Sequence, residues 1–181
     1  HIETSSVLIR QQKLEWVSPH PQWPDCEEVG PAPTNELLAV AAGHVVLGKK
    51  RDSDTFGWDN EYGHHEADVD AFEASRYLVS NREFLEFVEA GGYRSREDWG
   101  EEGWQWLEFS KRTAPEFWRD TADGWRLRLM TQEVSMPWSW PVEVNFHEAE
   151  AFCNWKAAQT GELVRLPTED EWYRLYDVSL E

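Results

Sequence analysis

The sequence predicts an α+β domain in which short helices and short strands are tied together by aromatic side chains. A helix-start pattern, in which a capping residue is followed three positions later by Glu, occurs at Ser80, Asn145 and Thr168. A β-branched run, LLAVAAGHVVLG at residues 37–48, has the composition of strand. Twelve Trp among 181 residues supply enough aromatic surface to anchor loops that regular structure does not hold.

A hydrophobic fraction of 40% is ordinary for a globular chain, and the length suits one domain with a short appendage. Seventeen Lys and Arg against 35 Asp and Glu give a net charge of −18 and a pI near 4.6. That field repels phosphate backbones and anionic lipid, so neither nucleic acid nor a membrane is an expected partner. No apolar run approaches the roughly 20 residues of a membrane helix. Cys26 and Cys153 form no C-x-x-C, which argues for a reducing, cytoplasmic setting and leaves a single bridge as the alternative.

Residues 1–17 carry apolar side chains at Ile2, Val7, Leu8, Leu14 and Val17, at helical spacing. Neither a capping residue nor Met precedes them, so this helix is expected to continue from upstream sequence. Five prolines and Gly30 within residues 18–35 exclude continuous helix or central strand, and this segment is expected to be an interdomain linker.

The domain itself is expected over residues 36–181. Gly43 interrupts the run at 37–48, giving two short strands or one bulged strand. After a loop rich in Gly and Asp, EADVDAFEASRYLVS alternates at Ala67, Val69 and Ala71 and reads as one strand with a buried face, before a helix opens at Ser80. The three capped helices have apolar stripes at Phe84, Leu85 and Val88, at Ala149, Phe152 and Cys153, and at Trp172, Leu175 and Tyr176. Gly91 and Gly161 supply helix stops. Residues 93–141, with seven Trp and Pro115, Pro137 and Pro141, show no sustained period and read as ordered loop.

Candidate chemistry is sparse. His1 and Glu3 stand two apart, a pair too common to indicate a metal by itself. His64, His65, Glu66, Asp68 and Asp70 are a denser set of possible ligands, yet strand alternation sends neighbours to opposite faces and splits them. Within FGWDNEYG, at residues 56–63, Asp59, Asn60 and Glu61 suit either Ca²⁺ or, more ordinarily, a turn tied by side-chain-to-backbone bonds. Cys153 lies on its helix's apolar stripe with no His one turn away, the setting of an inert core thiol, and Cys26 has no activating base beside it. EEGWQWLEFSKRTAPEFW suits stacking on sugar rings or, more ordinarily, core and loop anchoring. Phosphate-loop, H-E-x-x-H and G-x-S-x-G strings are absent.

The strings FGWDNE, FLEFVEAGGY, GWQWL, PEFW, MPWSWPVEVNFHEAEAFCNWKAAQTG and VRLPTEDEW together resemble the formylglycine-generating-enzyme-like (sulfatase-modifying factor) domain, over roughly residues 36–181. Within that superfamily the pattern is most similar to the 5-histidylcysteine sulfoxide synthases of ovothiol biosynthesis, with the ergothioneine-type synthases next. The opening HIETSSVLIRQ resembles the end of the DinB-like helix bundle of those synthases, whose motif is His, three residues, His, any residue, Glu.

The resemblance implies a C-type-lectin-like fold, present in its N-terminal part, behind the last helix of a DinB-like four-helix bundle. It implies His1 as a metal ligand, with Glu3 beside the ligands rather than among them. The implied chemistry is that Fe(II) held by three His activates O₂ and joins the sulfur of cysteine to the imidazole of histidine. The other two His ligands, a GNVWEW-like segment and the pocket residues have no counterpart in these 181 residues, so the chain is expected to be a fragment that is inactive and marginally stable alone. Alternatives are an ergothioneine-type synthase, a non-catalytic lectin-like module binding a small ligand through its Trp-rich surface, and formylglycine generation, which needs cysteines in the later half.

Overall fold

The computed structural model describes residues 1–22, Cys26 and residues 30–179. In chain order the elements are α1 (Ile2–Arg10), β1 (Leu37–Val40), β2 (Gly43–Leu47), β3 (His65–Val69), β4 (Phe72–Ser75), α2 (Asn81–Glu89), α3 (Glu101–Ser110), β5 (Trp118–Thr121), β6 (Gly124–Arg128), β7 (Glu133–Ser135), α4 (Phe146–Thr160) and α5 (Glu169–Ser179). Short helices beside short antiparallel ladders make the class α+β. The chain divides into two compact units, one of His1–Thr34 with Leu78–Arg165, the other of Asn35–Tyr77 with Leu166–Glu181.

In the larger unit, α2 starts where Ser80 Oγ accepts the Glu83 N–H at 3.2 Å and Glu83 Oε2 accepts the Ser80 N–H at 2.8 Å. The reciprocal bonds satisfy two donors that a helix start leaves orphaned. Asn145 and Glu148 open α4 in the same way, both bonds at 2.9 Å. Helical spacing then turns Phe84 and Phe87 of α2 and Ala151 and Phe152 of α4 onto one core with Tyr93, Trp99 and Leu107. Phe84 and Phe152 stack with centroids 5.3 Å apart. A Cβ on Gly92 would sit 2.0 Å from the Phe87 ring, so this position takes no side chain. Trp99 Nε1 donates to the Gly92 carbonyl at 2.8 Å, which fixes the same corner.

A second cluster joins Leu85 to Phe117, Trp118, Leu127 and Met136, beneath the antiparallel meander β5-β6-β7. Gly124, at φ 102°, supplies the left-handed position of the β5–β6 turn. The proline-bounded segment after β7 is held by backbone bonds, from Asn81 N–H to Trp140 O at 2.8 Å and from Val142 N–H to Val79 O at 2.9 Å. The buried Asn81 side chain adds a bond to Pro137 O at 2.9 Å.

Residues 93–141 are therefore more regular than their sequence suggests, since they hold α3 and all three strands of the meander. The signal is weak for physical reasons. Gly100 caps α3 without a side-chain bond, and the strands are three to five residues long, with Arg119 in β5 and Arg126 and Arg128 in β6 breaking up the apolar pattern. The opening segment is also shorter than its apolar spacing suggests: it is helical only over α1, with a single 3-10 turn at Leu14–Trp16. Part of the expected linker, residues 23–25 and 27–29, lies outside the described residues.

In the smaller unit, β1 pairs with β4 and β2 with β3, both antiparallel. Gly43 thus begins a second short strand. The stretch read as one strand is two, β3 and β4, separated at Asp70 and Ala71 so that each follows its own partner. Val45, Leu47 and Val69 form the core, with Ala67, Phe72 and Tyr173 packed against it. Thr168 and Glu171 cap α5 reciprocally at 2.8 and 3.2 Å, and Arg174 Nε donates to Ala41 O at 2.9 Å over the surface that Gly43 leaves bare.

Candidate functional site

His1 occupies the N-cap position of α1, its carbonyl accepting the Ser5 N–H at 2.9 Å, and its imidazole is exposed. Glu3 lies in the first turn, where an acid suits the positive end of the helix. Spacing of four and seven residues puts Glu3, Val7 and Arg10 along one face, and this is the face that docks. Val7 packs against the cluster around Phe117. The Arg10 guanidinium lies 3.8 Å from the centroid of the Phe117 ring and forks onto both oxygens of Glu143 at 2.5 Å. At 1.5 Å per residue, that clamp lies roughly 13 Å along the axis from His1.

Just past α1, Gln12 O accepts from Arg128 Nη2 at 3.3 Å. Arg128 is 2% exposed, and among the described residues its Nη1 has no hydrogen-bond partner. Burial pushes the Arg128 pKa down, while Glu133 opposes the shift and Arg119 and Arg10 add to it. The seam under α1 is therefore a layer of cations held by Glu143 and Glu133.

The His and acid residues of the smaller unit are sorted by the β2–β3 ladder. His64 Nε2 lies 2.7 Å from Glu66 Oε1, and His44, opposite Asp68 in register, sits 2.9 Å from Asp68 Oδ1 and 3.7 Å from Glu66 Oε2. His65 pairs instead with Asp170 of α5, at 3.5 Å. Alternation thus separates His65 from His64, as expected, and brings in His44, which the sequence reading left out because its partners are 22 and 24 residues away. Among the described residues no set of three or more His, Cys, Asp or Glu side chains is placed to hold a metal ion. In the 56–63 loop, Glu61 Oε1 accepts the Trp58 N–H at 3.0 Å and Asp59 Oδ1 accepts the Asn60 N–H at 3.1 Å, the bonds of a tied turn.

One buried pair escaped the sequence reading entirely. Tyr93 Oη donates to Glu148 Oε1 at 2.6 Å, with Glu148 2% exposed. Desolvation raises the pKa of both groups, while the bond from Tyr93 and the backbone bond from Asn145 favour the Glu148 carboxylate. Only the capping pattern of Glu148 was visible in sequence. Cys153 is buried, with its pKa raised by burial and by Glu150, as befits a core thiol, and Cys26 is exposed.

The sequence matches the family described as sulfatase-modifying factor enzyme 1-like domain over residues 24–174. It is 40% identical over 129 residues to the hercynine oxygenase of Mycobacterium tuberculosis, covering 70% of this chain and 28% of that protein. Identity is again 40%, over 128 residues, to the hercynine oxygenase of Mycolicibacterium thermoresistibile, covering 70% and 27%. The hercynine oxygenase of Mycolicibacterium smegmatis is 36% identical over 143 residues, covering 78% and 31%. The chain thus spans less than a third of the length of these relatives.

Proposed function

This chain belongs to the sulfatase-modifying factor enzyme 1-like domain family, and we propose that it is part of an iron- and O₂-dependent sulfoxide synthase that joins a thiol sulfur to the imidazole of histidine or a histidine derivative. The observation that carries this reading is the docking of α1: the helix that bears His1 and Glu3 is clamped by Arg10, Phe117 and Glu143 onto the larger unit. A metal ligand at the head of α1 would thereby stand at a fixed distance from the lectin-like core.

The donors of this chain do not make an iron site on their own. Ferrous sites that activate O₂ need about three protein ligands with open positions, and His1 is a single exposed imidazole. The remaining ligands would come from residues outside these 181, and the chain by itself is a scaffold and one-ligand contributor. This chain's part is to hold α1 through the Arg10 clamp and to keep the Glu3 carboxylate at the first turn beside His1.

Two thiol-joining reactions fit. The motif pattern favours cysteine and histidine, the ovothiol type. The names of the relatives favour hercynine, the trimethylated betaine of histidine, as imidazole substrate. Supplying the longer protein that contains this chain with Fe(II), O₂ and each pair of substrates, and identifying the product by mass spectrometry, separates them. His1→Ala should abolish product from either pair. Unchanged turnover in that variant would remove His1 from the metal site.

A further inference from the structure

We infer that α1 is a strap, seated on the larger unit yet set to release, and that Arg128 beneath its end controls how firmly it holds. His1 as the cargo of this strap rests on the proposed function; the release is a property of the seat itself.

Alone, α1 has little to keep it helical. It is nine residues long, none of them is buried, and no side chain caps its start at His1. Helices shorter than about 12–15 residues are marginal in water, so α1 persists through its contacts. Those contacts are Val7 against the Phe117 cluster and Arg10 over the Phe117 ring and onto Glu143. The Glu143 side chain is 53% exposed, so water competes for one half of that ion pair.

The seat also carries a group that water would hold better. Arg128 is 2% exposed, and its Nη2 reaches the strap through one bond, to Gln12 O at 3.3 Å, beyond the usual range of roughly 2.7–3.2 Å. Nη1 of Arg128 and Nε of Arg10 are buried without hydrogen-bond partners among the described residues. Arg10 is paired with Glu143 and Arg119 with Glu133, which leaves Arg128 without an ion pair among the described residues. Glu133 and the negative end of α1 offset part of the cost of taking this guanidinium out of water, while the charges of Arg10 and Arg119 add to it. Lifting α1 hydrates Arg128 and separates it from Arg10, which offsets the loss of contact with Phe117. Seated, the strap presents His1 at a set place; lifted, it withdraws it.

The test is amide exchange in the 181-residue chain, followed residue by residue by NMR at constant pH and without metal. Amides of α1 should exchange at least about tenfold faster than those of α2 and α4, which share the larger unit. Arg128→Met keeps an apolar stem and removes the charge, and it should slow α1 exchange about tenfold while leaving α2 and α4 unchanged. Were Arg128 simply a bond holding the strap, the same variant would exchange faster. Glu133→Gln removes the acid that offsets Arg128 and should quicken α1 exchange about threefold; it decides the matter if Arg128→Met disturbs α2 and α4. Wild-type α1 as protected as α2, unchanged or faster α1 exchange in a folded Arg128→Met chain, or unchanged exchange in Glu133→Gln would overturn the strap. None of these readouts involves a metal, so failure here is distinct from failure of His1 as a ligand, which turnover of His1→Ala reports.

Discussion

Replacing Tyr93 by phenylalanine removes one hydroxyl and leaves the ring in the core, so it isolates the 2.6 Å bond to the buried Glu148 carboxylate. Loss of a hydrogen bond to a buried charged group costs about 1.5–3 kcal/mol, against about 0.5–1.5 kcal/mol for a neutral one. Which applies depends on pH. Burial raises the Glu148 pKa, with Tyr93 and Asn145 opposing and Arg112 assisting them, while Glu116 adds to the rise. A carboxyl raised on folding contributes stability that is fully present below its unfolded pKa and is lost as pH rises through the folded value. Removing the Tyr93 donor raises that folded pKa further and deepens the loss at neutral pH. Urea unfolding of wild type and Tyr93→Phe, followed by Trp fluorescence, should show a penalty of about 1.5–3 kcal/mol near pH 8 that shrinks to about 0.5–1.5 kcal/mol near pH 4.5. A penalty that stays the same at both pH values would refute the claim that the bond serves an ionised Glu148.

The docking of α1 makes a second prediction: Arg10→Met keeps the stem over Phe117 but loses the fork onto Glu143, costing about 1–3 kcal/mol of local stability. Amide exchange in residues 2–10 should quicken while exchange in α2 and α4 stays unchanged; equal quickening throughout would show that the clamp is not local. Gly92→Ala sets a methyl 2.0 Å from the Phe87 ring and should cost about 3 kcal/mol or more by overpacking. A thermal midpoint within error of wild type would contradict that close approach.

The helix starts were legible because a capping box is a local event: Ser80 with Glu83, Asn145 with Glu148 and Thr168 with Glu171 each lie within one turn. The meander was not, because strands of three to five residues, two of them interrupted by Arg, owe their form to Leu85, Phe117 and Met136 beneath them. The same division runs through the site. His1 and Glu3 carry a motif that is read from sequence, whereas Tyr93 meets Glu148 across 55 residues and Arg10 meets Glu143 across 133. No local pattern encodes those separations. His44 was missed likewise, since only the register of β2 on β3 sets it opposite Asp68.

In the proposed function, this chain brings one metal ligand on a docked helix and depends on others from outside it. Calorimetric titration of the 181-residue chain with Fe(II) under anaerobic conditions tests it most directly. Weak, unsaturable binding that is unaltered by His1→Ala is the predicted result. Tight one-to-one binding would contradict it and require a complete metal site within these residues.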